Sequence, residues 1–339
     1  MSSTFTIAAA ILLFFALLVS PSPSSACNKQ DEKALLAFKN SFLYTSLKWS
    51  PSTDCCTWDF VGCDNTTGRV TSLYFENNNI HPESIFLNGS IPSSVGDLSS
   101  LETLRFRRIT SLNGPIPPQL SKLKNLQSLE IYVTQVSGPV PSFLSQLTSL
   151  KELKLGYNKL SGTIPPSLGS LVHLADIELF GNQLTGTIPA SLFGGLNPKS
   201  SLVTLVLSYN KLTGSIPRSL ADVPVSSLYL QNNNLDGDAS FLFGRSKPLT
   251  QVSIANNNLA FDLGKVEFPL VMGLMDISHN KIYGSIPTQI VESPNLSSVD
   301  VSSNRLCGKI PSGGKFVQLP AENYEHNKCL CGTPLPPCK

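Results

Sequence analysis

Two consecutive segments of this chain, LKELKLGYNKLSGTIPPSLGSLVH from Leu150 to His173 and LADIELFGNQLTGTIPASLFGGLN from Leu174 to Asn197, are near-copies of one another. A unit of 24 residues is too short to close a core alone, so a chain that repeats it must bury each copy against the next. Aligning the paired apolar positions L-x-L extends the pattern both ways, with leading residues Leu73, Leu104, Leu129, Leu153, Ile177, Leu205, Leu228, Val252, Met275 and Val299. Their steps are 31, 25, 24, 24, 28, 23, 24, 23 and 24 residues. Ten repeats therefore cover Val70 to Pro311, with insertions at the first step and around Gly194 to Ser201.

Each L-x-L segment alternates apolar and polar, which predicts a short strand with one face buried and the other presented to solvent. Successive strands pair in parallel because every repeat returns the chain to the same edge. At about 4.8 Å per strand, ten of them make a curved sheet roughly 45 Å long, a surface suited to a macromolecule rather than to a small ligand. Five residues past the leading apolar position stands an asparagine: Asn78, Asn158, Asn182, Asn210, Asn233, Asn257, Asn280 and Asn304. A buried amide there can satisfy backbone groups left open where the chain turns, so these asparagines are read as structural. Ile109 and Thr134 interrupt the ladder, and local irregularity is expected at both. A second phrase, L-x-G-x-I-P, follows each asparagine, as in Leu160–Pro165 and Leu184–Pro189. Its glycine permits a turn, and Leu168 and Leu171 beyond it are spaced for a short helical turn facing the core.

The ends of the chain do not repeat. Ile7 to Val19 is an uninterrupted apolar run followed by small residues to Ala26. It has the length of a secretory leader and is too short to span a bilayer, so residues 1–26 are predicted to be a signal peptide. No second apolar run reaches spanning length, and a soluble extracellular product is expected. All eight cysteines lie in two terminal groups: Cys27, Cys55, Cys56 and Cys63 before the repeats, and Cys307, Cys329, Cys331 and Cys338 after them. A stack exposes an apolar cross-section at each end, and disulfide-bonded caps over residues 27–69 and 312–339 would cover it. The rival reading, zinc, lacks a histidine at ligand spacing, so no metal or other cofactor is expected. Asp31 to Phe42 reads as an amphipathic helix, with Trp49 and Trp58 filling the first cap. The tripeptides at Asn65, Asn88 and Asn295 are acceptors for N-glycosylation.

A net charge of +2 gives no basis for binding nucleic acid. No zinc-protease, nucleophile-elbow or phosphate-loop motif occurs. Asp176 and Glu178 flank Ile177 as a glycosidase pair might, yet an open sheet does not desolvate an acid, so no catalytic residue is assigned. The informative positions lie on the presented face: Arg105, Glu130, Tyr132, Glu152, Lys154, Asp176, Glu178, Phe180, Val206, Ser208, Tyr229, Gln231 and Ser253. Tyr132, Phe180, Val206 and Tyr229 are expected to be exposed anchors for a partner. Charge looks graded, basic at Arg105, Arg107 and Arg108 and acidic over Glu130, Glu152, Asp176 and Glu178.

The repeat L-x-x-L-x-L-x-x-N-x-L-x-G-x-I-P resembles the plant extracellular leucine-rich repeat. The opening cap, ALLAFK through Asp54-Cys55-Cys56-Thr57-Trp58 to Cys63, and the closing Asn327-Lys328-Cys329-Leu330-Cys331-Gly332 to Cys338 narrow it, together with GDASFLFG at Gly237–Gly244. With these the chain resembles the polygalacturonase-inhibiting proteins of plant cell walls. That resemblance implies an α/β solenoid, a right-handed leucine-rich-repeat superhelix of about ten repeats with a concave parallel sheet, disulfide-bonded caps and a second, smaller sheet along the L-x-G-x-I-P segments. It implies the bridges Cys27–Cys55, Cys56–Cys63, Cys307–Cys329 and Cys331–Cys338. It further implies a secreted cell-wall defence protein, a monomer without enzymatic activity, whose partner is a fungal or insect endopolygalacturonase. The acidic middle of the strip would then complement basic groups lining that enzyme's cleft, and its basic end would touch pectin. Two other classes stay open: an apoplastic ligand-binding or developmental signalling protein acting with a receptor, and an ice-binding protein. The latter calls for a flat array of like side chains, which the changing strand residues do not offer.

Overall fold

The computed structural model describes residues 26–77, 85–194, 203–313 and 318–339. The leader, Asn78 of the ladder and most of both insertions lie outside them. Ten strands line the concave face in parallel and in sequence order, from Val70–Glu76 through Thr103–Arg107, Ser128–Tyr132, Glu152–Lys154, Asp176–Glu178, Thr204–Val206, Ser227–Tyr229, Gln251–Ser253 and Leu274–Asp276 to Ser298–Asp300. An eleventh, Val61–Cys63 of the first cap, pairs antiparallel with Val70–Glu76 and closes that edge. The leading apolar residues face one another across the ladder, Leu104 opposite Leu129 and Ile177 opposite Leu205. Strand register thus follows the repeat register. Leading leucines, the isoleucines of the G-x-I-P phrase and the leucines of the 3₁₀ turns, such as Leu168 in Pro166–Ser170, form one continuous buried core from Cys27 to Tyr324.

The second sheet is present but broken. Six strands run from Tyr44–Thr45 to Gln183–Leu184, three from Thr213–Ser215 to Asn258–Leu259, and three from Tyr283–Gly284 to Cys329–Cys331. The first break follows the insertion around Gly194. The second falls at AFDLGKVE, where the usual G-x-I-P phrase is missing and Leu263–Lys265 forms a 3₁₀ turn capped by Asp262.

The amide ladder spans repeats. Asn182 Nδ2 donates to Leu155 O, Leu179 O and Phe180 O at 2.9, 3.0 and 3.2 Å, while its Oδ1 accepts from Leu160 N at 3.0 Å in the preceding repeat. The pattern holds from Asn182 through Asn304. It continues into Asn327 of the closing cap, which accepts from Leu306 N at 3.0 Å. The irregularity expected at the two interruptions does not occur. Arg108 and Val133 take the same left-handed turn as Tyr157, with φ of 58, 54 and 52°. Thr134 inserts its hydroxyl as a relay, accepting from Val136 N and donating to Asn158 Oδ1. Ile109 is fully buried and adds to the core what it lacks in polar contact.

The caps form as read, with small shifts. The first helix is Lys29–Asn40, beginning two residues before the expected Asp31 because the Asn28 side chain caps Gln30 and Asp31. Asp31 is buried and holds Arg69 through two bonds of 2.8 and 3.0 Å and Val70 N at 2.9 Å, which ties the helix to the first concave strand. Trp49 and Trp58 stack at 5.4 Å inside this cap. The four bridges join the pairs named above. No cysteine is left as a thiolate for zinc.

Candidate functional site

On the concave strands two residues of each L-x-L-x unit point away from the core, and parallel pairing sets them in rows. The middle row begins Tyr74, Arg105, Glu130, Lys154 and Glu178, each opposite the next. Charges therefore alternate across the strands instead of grading along them. Glu130 is the centre of this arrangement. Arg105 Nε lies 2.7 Å from its Oε2 and Arg107 Nε 3.2 Å from its Oε1, while Arg107 also reaches Glu76 at 3.4 Å. Arg105 and Arg107 cover the Tyr74 and Tyr132 rings at 5.2 and 5.3 Å. Glu130 is only 6% exposed. It is a buried clamp for two arginines, where the sequence reading places a free acid on the presented face.

Lys154 does the reverse on the next strand, a cation held between two acids. Its Nζ sits 3.8 Å from Asp176 and 3.5 Å from Glu178. Burial raises the Glu178 pKa above the usual carboxylate value; Lys154 opposes that rise, whereas Asp176 and Glu130 add to it. Glu152 accepts from Ser128 Oγ at 2.9 Å. The expected acidic middle is thus largely compensated within the sheet, and two of the three arginines of the expected basic end are committed to carboxylates.

The aromatic residues are gathered as well. Tyr132, Tyr157 and Phe180 form a triad with ring centroids 5.8, 5.9 and 4.9 Å apart. Glycines make room for it: a Cβ on Gly156 would meet the Phe180 ring at 2.7 Å, and one on Gly181 would meet Tyr157 at 2.6 Å. Because the rings lean on one another, Tyr132 and Phe180 are half-buried rather than freely exposed. Burial also raises the Tyr132 hydroxyl pKa. Val206 and Tyr229 are half-buried too, and the Tyr229 hydroxyl bonds to Gln251 Oε1.

Ser208 is buried, together with Ser278 and Ser302 in the same row, and Ser253 is buried in the middle row opposite Tyr229. Both were expected on the presented face and are instead covered, because a small side chain on either row sinks below its larger neighbours. Ser253 Oγ instead lies 3.5 Å from Asp276 Oδ2. Gln231 is half-buried beside them.

Sequence reasoning missed Tyr157 and Tyr209, which are 49% and 54% exposed. Both occupy the left-handed residue just before the ladder asparagine. That conformation swings the side chain out along the rim of the sheet. The signal was available, since the residue before each asparagine forms a third row, but strand periodicity alone does not point to it.

This arrangement of clustered rings and paired charges can bind a protein surface. The description "Leucine rich repeat N-terminal domain" matches residues 28–64, and "Leucine Rich Repeat" matches residues 149–171 and 201–223. Polygalacturonase inhibitor 1 of Arabidopsis thaliana is 50% identical over 97% of this chain and 98% of its own length. The polygalacturonase inhibitor of Pyrus communis is 49% identical over 97% of each. Among solved structures, a plant ice-binding protein superposes with a TM-score of 0.86 at 40% identity, covering 93% of this chain and 99% of that one. The chain belongs to the plant polygalacturonase-inhibitor family of leucine-rich-repeat proteins.

Proposed function

We propose that this protein is secreted to the plant cell wall and inhibits a fungal or insect endopolygalacturonase by seating its concave face over the enzyme's substrate cleft. The observation that carries the reading is the Tyr132, Tyr157 and Phe180 triad at the middle of that face, bordered by Lys154, Asp176 and Glu178. Clustered aromatic anchors in a polar surround are what protein interfaces use for affinity. Since the neighbouring charges are already paired, these rings rather than net charge hold the partner, and binding weakens only modestly with added salt.

The test is reducing-end release from polygalacturonic acid by a panel of fungal and insect endopolygalacturonases, with and without the protein. Dose-dependent loss of activity is expected for at least one enzyme. The triple variant Tyr132→Ala, Tyr157→Ala, Phe180→Ala, checked for an intact thermal transition, should raise the inhibitory concentration by about 100-fold or more. Undiminished inhibition by the folded variant would remove the triad from the site. No inhibition by the wild type across the panel would favour a receptor partner instead. Ice-recrystallisation inhibition serves as the control for the third class, and little is expected because the middle row changes chemistry at nearly every strand.

A further inference from the structure

A second exposed apolar surface lies far from the triad, where the lateral sheet begins. Leu43, Tyr44 and Phe86 are 74%, 64% and 45% exposed. Tyr44–Thr45 is the edge strand of that sheet and pairs antiparallel with Leu87–Ser90, Tyr44 opposite Asn88 and Thr45 opposite Leu87. Leu43 N donates to Asn88 O and Ser46 N to Phe86 O, both at 3.1 Å. Leu87 is fully buried. By alternation, Tyr44, Phe86 and the half-buried Asn88 then share the outward face, with Phe86 just before the strand that carries Asn88 and Tyr44 directly across from Asn88. Exposed apolar groups on a sheet edge invite unwanted pairing and are normally covered.

Asn88 begins the acceptor tripeptide Asn88-Gly89-Ser90. Its side-chain amide makes no hydrogen bond to a described residue, so Nδ2 is available for modification. We infer that Asn88 carries an N-linked glycan whose first sugars lie over Tyr44 and Phe86 and cover this edge. The transfer takes place in the secretory lumen from a polyprenyl-pyrophosphate-linked oligosaccharide. A bond forms between Asn88 Nδ2 and the sugar C1, the C1–O bond to pyrophosphate breaks, and Nδ2 gives up one proton. The apolar C–H face of a pyranose matches the electron-rich face of an aromatic ring, and the carbohydrate's outer side stays hydrated. The other two acceptors differ. Asn65 and Asn295 are exposed on a hairpin tip and a loop, and neither sits across a ladder from an exposed ring. The inference rests on the secretory route of the preceding reading but not on inhibition.

The experiment uses full-length protein secreted from plant cells. Peptide mass spectrometry should find Asn88 glycosylated in most molecules. Ser90→Ala keeps Asn88 but removes the acceptor; it should lower the thermal midpoint by about 2–4 °C and increase binding of a hydrophobic dye. In a Tyr44→Ser, Phe86→Ser background the same Ser90→Ala change should alter neither. If a variant is not secreted, enzymatic removal of glycans from the native wild type supplies the same two readouts. Unmodified Asn88, or a loss on deglycosylation that is equally large without the two rings, overturns the inference. A polygalacturonase panel that shows no inhibition leaves it standing, because no readout involves that enzyme.

Discussion

The first three concave strands and the seven that follow solve one problem with different chemistry. Val70–Glu76, Thr103–Arg107 and Ser128–Tyr132 are five to seven residues long, whereas every later concave strand has three. The long strands carry large side chains locked in pairs, with Arg105 and Arg107 on Glu130 and on the Tyr74 and Tyr132 rings. The short ones each end where a buried amide gathers the carbonyls of the turn. Toward the carboxyl end small serines sink into the sheet. Stack stability thus rests on the ladder from Asn158 onward and on a clamp of ion pairs before it. The triad of Tyr132, Tyr157 and Phe180 sits at the junction, its Tyr132 ring covered by Arg107 of the clamp and its other two rings beyond it.

The comparison breaks first at the ladder. Asn182→Ala leaves Leu160 N without its acceptor and takes one of two donors from each of Leu155 O, Leu179 O and Phe180 O in the buried turn, and should cost about 2–3 kcal/mol. Thr134→Ala removes only a relay and leaves the three carbonyl contacts of Asn158 in place, so about 1 kcal/mol is expected. Urea unfolding midpoints at unchanged slope decide between them, and equal losses would mean that the interrupted repeats depend on amide chemistry after all.

The ion-pair clamp comes next. Glu130→Ala leaves two arginines facing each other across a buried gap. A cost of about 2 kcal/mol is expected, less than for a fully buried pair because both guanidinium groups are partly solvated. Glu152→Ala, on the adjacent strand, should stay within about 0.5 kcal/mol. A clamp variant as mild as Glu152→Ala would make the long strands self-sufficient.

The smallest effect sharpens the junction. Because burial raises the Glu178 pKa in the folded protein, the native state binds that proton more tightly than the unfolded chain does. Stability from this group is present below the unfolded carboxylate pKa and falls as pH rises through the folded one. Glu178→Gln should flatten the fall in thermal midpoint over that window just above the ordinary carboxylate range. An unchanged slope would show that Lys154 compensates the carboxylate fully.

The repeats, their register and the caps were legible in the residues themselves. Leu104 meets Leu129 and Ile177 meets Leu205 because a strand that slips by one residue turns its leucine to water. The candidate site was less legible. Glu130 looked like a free acid, since the arginines that bury it are 25 and 23 residues away in sequence and adjacent only through strand pairing. Ser208 sits at a position that bears Tyr132 and Phe180 in other repeats, and Ser253 at one that bears Glu178 and Tyr229, so position alone did not reveal that small side chains there are covered. Tyr157 and Tyr209 escaped notice because their exposure comes from a left-handed backbone turn rather than from strand alternation.

By itself the sequence determined what is periodic: the stack, its parallel concave sheet and the asparagine ladder, because each follows from contacts between a residue and its own copy one repeat away; the cysteine-rich ends were legible as the places where the period stops. Only the tertiary structure decided what is not periodic. Which charges cancel, which rings touch and which acceptor asparagine faces exposed aromatics depend on neighbours that differ from strand to strand, and only packing brings those neighbours together.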